Sequence, residues 1–199
     1  MVDYFSHKAK QYEQNKDRVN NVAAIAGAIL EQVVVRPDME LVDFGSGTGL
    51  LLEQVAPHVK KITAIDVSPA MNEQLRAKVD RIACEVVLDE TNLEETEVDG
   101  VFDGIISSMT LHHIRDVGAL LVTFHRMLKP GGFIALADLE AEDGTFHREN
   151  TGVHHLGFEP DQMANWARAA GFNEVETSTV SVINKEERAY PVFLVSGIR

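Results

Sequence analysis

Val42-Asp-Phe-Gly-Ser-Gly-Thr-Gly-Leu-Leu51 is an apolar strand end that runs into three alternate glycines and then into a helical pattern. Gly45, Gly47 and Gly49 let the backbone turn tightly after the strand and leave no Cβ between the main chain and a ligand lying across the strand ends. The stretch therefore predicts an open α/β sheet with a nucleoside-bearing cofactor at the strand tips.

The spacing separates two cofactor classes. A dinucleotide fingerprint is G-x-G-x-x-G, with its third glycine at the helix start. Here that position is Leu50 and the pattern is G-x-G-x-G, with Asp43 two residues upstream. A carboxylate beside the loop repels a pyrophosphate and attracts an ammonium or sulfonium group in a partly dry cleft. The reading favours S-adenosylmethionine, a cationic nucleoside that carries an amino acid. A nicotinamide-dependent oxidoreductase is the less favoured alternative.

Working outward, apolar residues from Asp17 to Val34 repeat with helical spacing, and Pro37 closes that helix. Strands are expected at Glu40 to Phe44, Lys61 to Asp66, Ala83 to Leu88, Gly100 to Ser107, Phe133 to Leu139, Glu174 to Ile183 and Tyr190 to Ile198. Helices are expected from Gly49 to Ala56, from Ser68-Pro69 to about Val79, from Asp116 to Leu128, and from Pro160 to Ala170. Lys129-Pro-Gly-Gly132 should stop the fourth of these five helices before the next strand. Alternating strands and helices imply a parallel sheet covered on both faces, with ligands beyond the carboxyl ends of the strands.

Five stretches in this order resemble the class I S-adenosylmethionine-dependent methyltransferases, in particular the type 11 or UbiE-like group. They are Asp43 to Gly49, Ala64-Ile-Asp-Val-Ser-Pro-Ala-Met71, Leu88-Asp89, Phe102-Asp-Gly-Ile-Ile-Ser-Ser108 and Arg126-Met-Leu-Lys-Pro-Gly-Gly132. The resemblance implies a Rossmann-like, three-layer fold with a seven-stranded sheet, mostly parallel, whose last strand enters antiparallel beside the fifth. It also implies one methyltransferase domain over 1–199, with an N-terminal helical cap or lid at 1–36 and the sheet core at 37–199.

The cofactor residues expected on these grounds are Asp43, Gly45, Ser46, Gly47 and Gly49 in the loop, and Asp66 with Val67 after the second strand. Asp66 is placed to accept both ribose hydroxyl protons; a helix N-terminal acid is its other reading. By resemblance, Asp89 would accept from the adenine amino group, with Glu90 and Thr91 near it, and Met71 would pack on the adenine or ribose, or else serve as core. Ser107 and Ser108 would pass under the methionine part of the cofactor. Similar methyltransferases close an N-terminal segment over the site, and Tyr12 is the lid residue expected to face the methylsulfonium. Cation–π attraction there is worth about 0.5–2 kcal/mol.

The segment from Asp138 to Phe158 carries Asp138, Glu140, Glu142 and Asp143 together with His147, His154 and His155. It leaves the fifth strand at the catalytic end. It can form a substrate wall, supply a general base, or hold a metal, but no H-x-x-x-H helix spacing or cysteine pair supports the metal. His147, His154, His155 and His113 are the expected proton acceptors, and His112 and His113 after the fourth strand are expected to face the substrate or else to cap the next helix. The bland alternative is a solvated acidic loop pinned by Phe146 and Phe158.

The net charge of −13 over 199 residues works against bulk nucleic acid or an anionic membrane as partner, so a small-molecule methyl acceptor is expected. The first residues show no signal or transit pattern and no apolar run approaches ~18 residues, which makes the cytosol the expected location. The single Cys84 falls inside the third predicted strand and reads as a buried structural thiol. The class that competes with an enzyme is a protein that binds S-adenosylmethionine without transferring its methyl.

Overall fold

The computed structural model describes residues 3–96, 101–147, 152–185 and 188–199. Of the expected features, the initial Met1 and Val2, Gly100 at the start of the fourth strand, and Glu186 and Glu187 at the tip of the last turn lie outside the described residues. The strands are β1 (Glu40–Phe44), β2 (Lys61–Ile65), β3 (Glu85–Asp89), β4 (Phe102–Ser108), β5 (Leu128–Leu139), β6 (Asn173–Lys185) and β7 (Arg188–Ile198). The helices are α1 (Lys16–Gln32), α2 (Leu50–Val55), α3 (Pro69–Arg76), α4 (Val117–Met127) and α5 (Pro160–Ala169).

The strands form one seven-stranded sheet in the order β3-β2-β1-β4-β5-β7-β6. β1 pairs in parallel with both β2 and β4, while β7 runs antiparallel between β5 and β6. The strand order reverses at β1, so the crevice lies where β1 and β4 end.

Both sheet faces are buried, and neighbouring residues alternate between them. Leu41, Ile106 and Ala135 pack beneath Ile25 and Ile29 of α1 and Leu52 of α2. Val42, Ile105 and Ile134 pack against Leu121 and Phe124 of α4 and Met163 of α5. Ile25 and Ile29 are fully buried. α1 is therefore a layer of the core.

Several boundaries differ from expectation for local reasons. α3 stops at Arg76 and a short 3-10 turn follows at Val79–Arg81. Lys78, just past the helix, turns inward to reach Glu13 at 2.5 Å and Glu53 at 3.1 Å. Lys129-Pro-Gly-Gly132 does not precede the fifth strand; it lies within β5 as an irregularity between the pairs Phe102–Leu128 and Gly104–Phe133. Cys84 sits before β3 and is half-buried, not sealed in a strand. Burial still pushes its thiol pKa up.

Candidate active site

The glycine loop is held open by its own backbone. Gly45, Gly47 and Gly49 have φ of 68°, 54° and 87°. This left-handed region penalises a side chain. A Cβ on Gly45 would also come within 2.1 Å of the Thr110 side chain. The loop is tied to the end of β2 because Gly45 and Ser46 N–H groups donate to the Ile65 carbonyl and Gly47 N–H donates to Asp66 Oδ2 at 2.8 Å.

Above the loop lies a cleft of about 620 Å³. Asp43, Ser46, Thr48 and Asn21 line it, as does Ser108 from the end of β4. Each of these five contributes a buried side-chain oxygen that lacks a hydrogen-bond partner: Asp43 Oδ2, Ser46 Oγ, Thr48 Oγ1, Asn21 Oδ1 and Ser108 Oγ. Buried polar atoms are satisfied in the great majority of folded proteins. Five orphans converging on one cleft mark the place of a ligand rich in donors and acceptors, which fits the ammonium and carboxylate of an amino acid.

Asp43 is 1% exposed. Burial, reinforced by the charge of Asp66 and only partly offset by a Leu52 backbone hydrogen bond, pushes its pKa up to about 8. A carboxyl group in that state is relieved when a cation arrives beside it.

The other expected cofactor residues separate into distinct roles. Asp66 is half-buried and gives Oδ1 to Ser68 N–H and Oδ2 to Gly47 N–H. Desolvation raises its pKa against those two hydrogen bonds. Val67 is exposed and Met71 is sealed at 3% exposure. Asp89 accepts from Thr91 N–H at 2.9 Å, and the exposed Glu90 meets Arg76. None of these six lines the cleft beside the glycine loop. At the start of α3, Asp3 is docked on Ser68 and Ala70. Ser107 departs from expectation: it is fully buried and donates to the Phe44 carbonyl at 2.7 Å, which staples β4 to β1.

Tyr12 lines the cleft, half-buried, with the Arg18 guanidinium 3.9 Å above its ring. Burial raises its phenol pKa, opposed by Arg18 and assisted by Asp66. Phe5 meets His113 edge-on at 5.4 Å. The N-terminal segment thus forms one wall of the cleft.

The adjoining wall is a run of histidines. His112 follows β4 and is 2% exposed, and its Nδ1 lies 2.6 Å from Oδ1 of the fully buried Asp138 at the end of β5. Asp138 also accepts from the backbone N–H groups of His112 and Leu139. Burial alone would raise the Asp138 pKa, but the His112 charge and these hydrogen bonds together hold it below the usual carboxylate value. An ionised carboxylate accepts only, so Nδ1 carries the hydrogen of this bond, and in the neutral form of the ring the lone pair is on Nε2. His113 and His147 lie 4.3 and 4.9 Å from the His112 ring. Burial, then the charge of His112, lowers each to a pKa of about 4.

These positions distinguish the histidines expected as proton acceptors. His113 and His147 line the cleft, yet a pKa near 4 makes each a weak proton acceptor at neutral pH. His154 is exposed and His155 stacks on Phe158; neither ring lines the cleft, and their backbone N–H groups instead donate to the His112 carbonyl. His112, expected to face the substrate or cap a helix, is the cleft histidine whose ring is paired with a buried carboxylate. The available signal was the pairing of His112 with an acid ending the next strand, which only the β4–β5 register brings together. The acids of the loop are engaged elsewhere: Glu140 with Thr179, Glu142 with the N–H groups of Thr145 and Phe146, and Asp143 with Arg188. Among the described residues no group of three His, Cys, Asp or Glu side chains is arranged to hold a metal ion.

The strand order, the antiparallel β7 and a glycine loop set between β1 and α2 define a Rossmann-like methyltransferase fold. The chain belongs to the methyltransferase domain family whose profile matches residues 12–177, and the methyl donor of that family is S-adenosylmethionine. An uncharacterized methyltransferase of Schizosaccharomyces pombe is 32% identical over 155 residues, covering 69% of this chain and 55% of that protein. The chain thus spans about half the length of that curated relative. Among solved structures, the complex between the Trm112 methyltransferase activator and a methyltransferase of Haloferax volcanii contains a chain that matches with a TM-score of 0.80 at 18% identity, over 100% of this chain and 98% of that one. The DhpI–SAH complex matches with a TM-score of 0.76 at 19% identity, over 98% and 93%. Among the described residues no helix is long and apolar enough to cross a membrane.

Proposed function

We propose that this chain transfers a methyl group from S-adenosylmethionine to a small-molecule acceptor, with His112 taking the acceptor's proton. The observation that carries the reading is the buried His112–Asp138 pair, whose His112 lines the same cleft as the glycine loop and its orphaned oxygens. When bound, the cofactor supplies a sulfonium methyl for in-line displacement, with the electron pair of the broken bond returning to sulfur.

The residues of this chain do the rest. Asp43, Ser46, Thr48 and Ser108 receive the amino-acid end of the cofactor, and Asp66 holds the loop in shape while offering its remaining lone pairs toward the ribose. Asp138 orients His112, whose Nε2 accepts the proton as the acceptor atom bonds to the methyl carbon. Alignment of this kind supplies about 7–11 kcal/mol of barrier reduction. The cleft volume and the net charge of −13 support a small acceptor over nucleic acid.

The test is incubation of the chain with methyl-labelled S-adenosylmethionine and a panel of hydroxyl, amine and thiol acceptors. Label transfer that falls in His112→Gln supports the reading. Tight cofactor binding with no transfer to any acceptor would favour the binding-protein alternative.

A further inference from the structure

α1 buries one stripe of side chains, and the first member of that stripe is polar. Asn21, Val22, Ile25, Ala26 and Ile29 recur at helical spacing and are all buried. Ile25 and Ile29 are sealed in the core and fix the helix, whereas Asn21 and Val22, one turn nearer its N-terminus, line the cleft. An apolar residue at 21 would continue the stripe. The amide found there is only 5% exposed, and its Oδ1 lacks a hydrogen-bond partner. A desolvated acceptor without a donor destabilises the empty fold, so the position favours something other than stability.

The orphaned oxygens of the cleft differ in what they can receive. The hydroxyls of Ser46, Thr48 and Ser108 donate or accept, so they suit a carboxylate as well as an ammonium. The Asn21 carbonyl oxygen only accepts, and so does the Asp43 carboxylate when ionised. Two acceptor-only oxygens in one cleft are satisfied together by a group that carries several donors. At the amino-acid end of S-adenosylmethionine that group is the α-ammonium, with three N–H donors; the carboxylate and the sulfonium have none.

The geometry points to Asn21 as a cofactor-binding residue whose side-chain carbonyl, together with Asp43, accepts from the α-ammonium of the methyl donor and so selects ligands with a free amino group. This assignment rests on the methyl-transfer reading above. It extends the cofactor site from the strand ends to α1, a helix that lies outside the glycine-loop motif. The two acceptors differ in kind: Asp43 titrates, with a pKa of about 8, whereas an amide offers the same lone pairs at every pH.

The experiment is calorimetric titration of the full chain and of Asn21→Ala with S-adenosylhomocysteine, with its desamino analogue, in which hydrogen replaces the α-ammonium, and with 5′-methylthioadenosine, which lacks the amino-acid end. The wild type should bind S-adenosylhomocysteine at least about tenfold more tightly than the desamino analogue, the ordinary worth of hydrogen bonds to a charged group. Asn21→Ala should weaken S-adenosylhomocysteine about tenfold and leave the other two ligands within about twofold. The empty variant should melt within about 2–3 °C of wild type or above it, because the orphaned acceptor is gone and alanine is the better helix former. Equal binding of S-adenosylhomocysteine and its desamino analogue by the wild type overturns the assignment, as does unchanged S-adenosylhomocysteine affinity in Asn21→Ala. An equal loss for those two ligands, with 5′-methylthioadenosine unaffected, also overturns it by assigning the amide to the carboxylate. Parallel losses for all three ligands with a much lower melting temperature overturn it by making Asn21 a prop of the helix. Failure of the wild type to bind S-adenosylhomocysteine at all would instead overturn the methyl-transfer reading beneath it.

Discussion

His112 Nδ1 and Asp138 Oδ1 are 2.6 Å apart in a site where neither side chain is more than 2% exposed. A buried pair of this kind is costly to break, because removing one partner strands the other without solvent, typically at about 3–5 kcal/mol. Its position is also fixed from outside, since the His112 carbonyl receives the N–H groups of both His154 and His155. The loop after β5 therefore serves the histidine of the loop after β4, and its His154 and His155 do so through backbone in place of side chains.

If His112 is the proton acceptor, His112→Gln should lower kcat by about 10²–10⁴-fold. S-adenosylhomocysteine affinity should stay within a few-fold, because His112 is not among the residues whose orphaned oxygens await the cofactor. Asp138→Asn should lower kcat as well, by presenting an amide that no longer fixes the Nδ1 proton. Because the Asp138 pKa is lowered in the fold, its contribution to stability is present above the unfolded value and is lost as pH falls through the folded value. The melting-temperature gap between wild type and Asp138→Asn should therefore be full at pH 7 and narrow below about pH 4. A gap that stays constant with pH would show that Asp138 is not ionised.

Asp43 works in the opposite direction. Its pKa of about 8 lies above the unfolded value of 3.8. The stability of the empty fold is thus full below about pH 4 and falls by about 1.4 kcal/mol per pH unit as pH rises toward the folded value. Asp43→Asn should raise the melting temperature of the cofactor-free chain at pH 7.5, with the gain vanishing near pH 4, and should weaken S-adenosylmethionine binding at least tenfold. In the wild type, the cofactor ammonium should expel a proton on binding at pH 7. Titration calorimetry in phosphate and in Tris, whose ionisation enthalpies differ, would detect that release; identical heats in both buffers would refute it.

The sequence carried the architecture because its signals are local. The glycine loop, Ser68-Pro69 ahead of α3, and the two-residue alternation of apolar side chains each specify an element without help from distant residues. The helix cap is confirmed by Ser68 Oγ accepting from Met71 N–H, and α5 ends ahead of Gly171 at a φ of 105°. The candidate site was less legible because its key relations join residues far apart in sequence. Ser107 and Ser108 are indistinguishable as neighbours, yet strand alternation sends one to Phe44 and the other to the cleft. The histidines beyond β5 look equivalent until the fold directs His147 inward and His154 outward.

Gly45 should not tolerate alanine. Its φ of 68° costs a non-glycine residue about 1–2 kcal/mol, and the added Cβ would collide with Thr110. Overpacking adds about 1–3 kcal/mol. At roughly 2–4 °C per kcal/mol for a domain of this size, Gly45→Ala should lower the melting temperature by about 5–15 °C. Gly45→Ala should cost less in a Thr110→Gly background than in the wild type, because the Thr110 Cγ2, Oγ1 and Cβ contacts at 2.1, 2.2 and 2.6 Å are all removed while the backbone strain remains. An equal cost in both backgrounds would place the whole cost in the backbone.

The covering segment is fastened at both of its ends. At one end Asp3 accepts from Ser68 Oγ at 2.9 Å and from Ala70 N–H at 3.3 Å, on the first turn of α3. At the other, Glu13 meets Lys78 at 2.5 Å. Between them, Phe5 rests on His113 and Tyr12 lies beneath Arg18, so the segment covers the cleft without entering the main core. Fastening of this type is worth a few hydrogen bonds, about 1 kcal/mol each, far less than the core that α1 shares with the sheet. Asp3→Ala should therefore leave the melting temperature within about 2–3 °C of wild type. It should raise the dissociation rate of S-adenosylhomocysteine several-fold and speed hydrogen exchange in residues 3–14 before any other part of the chain. An unchanged dissociation rate together with faster exchange would mean that the segment opens without gating the cofactor, and Tyr12 would then be a wall of the cleft with no part in its closure.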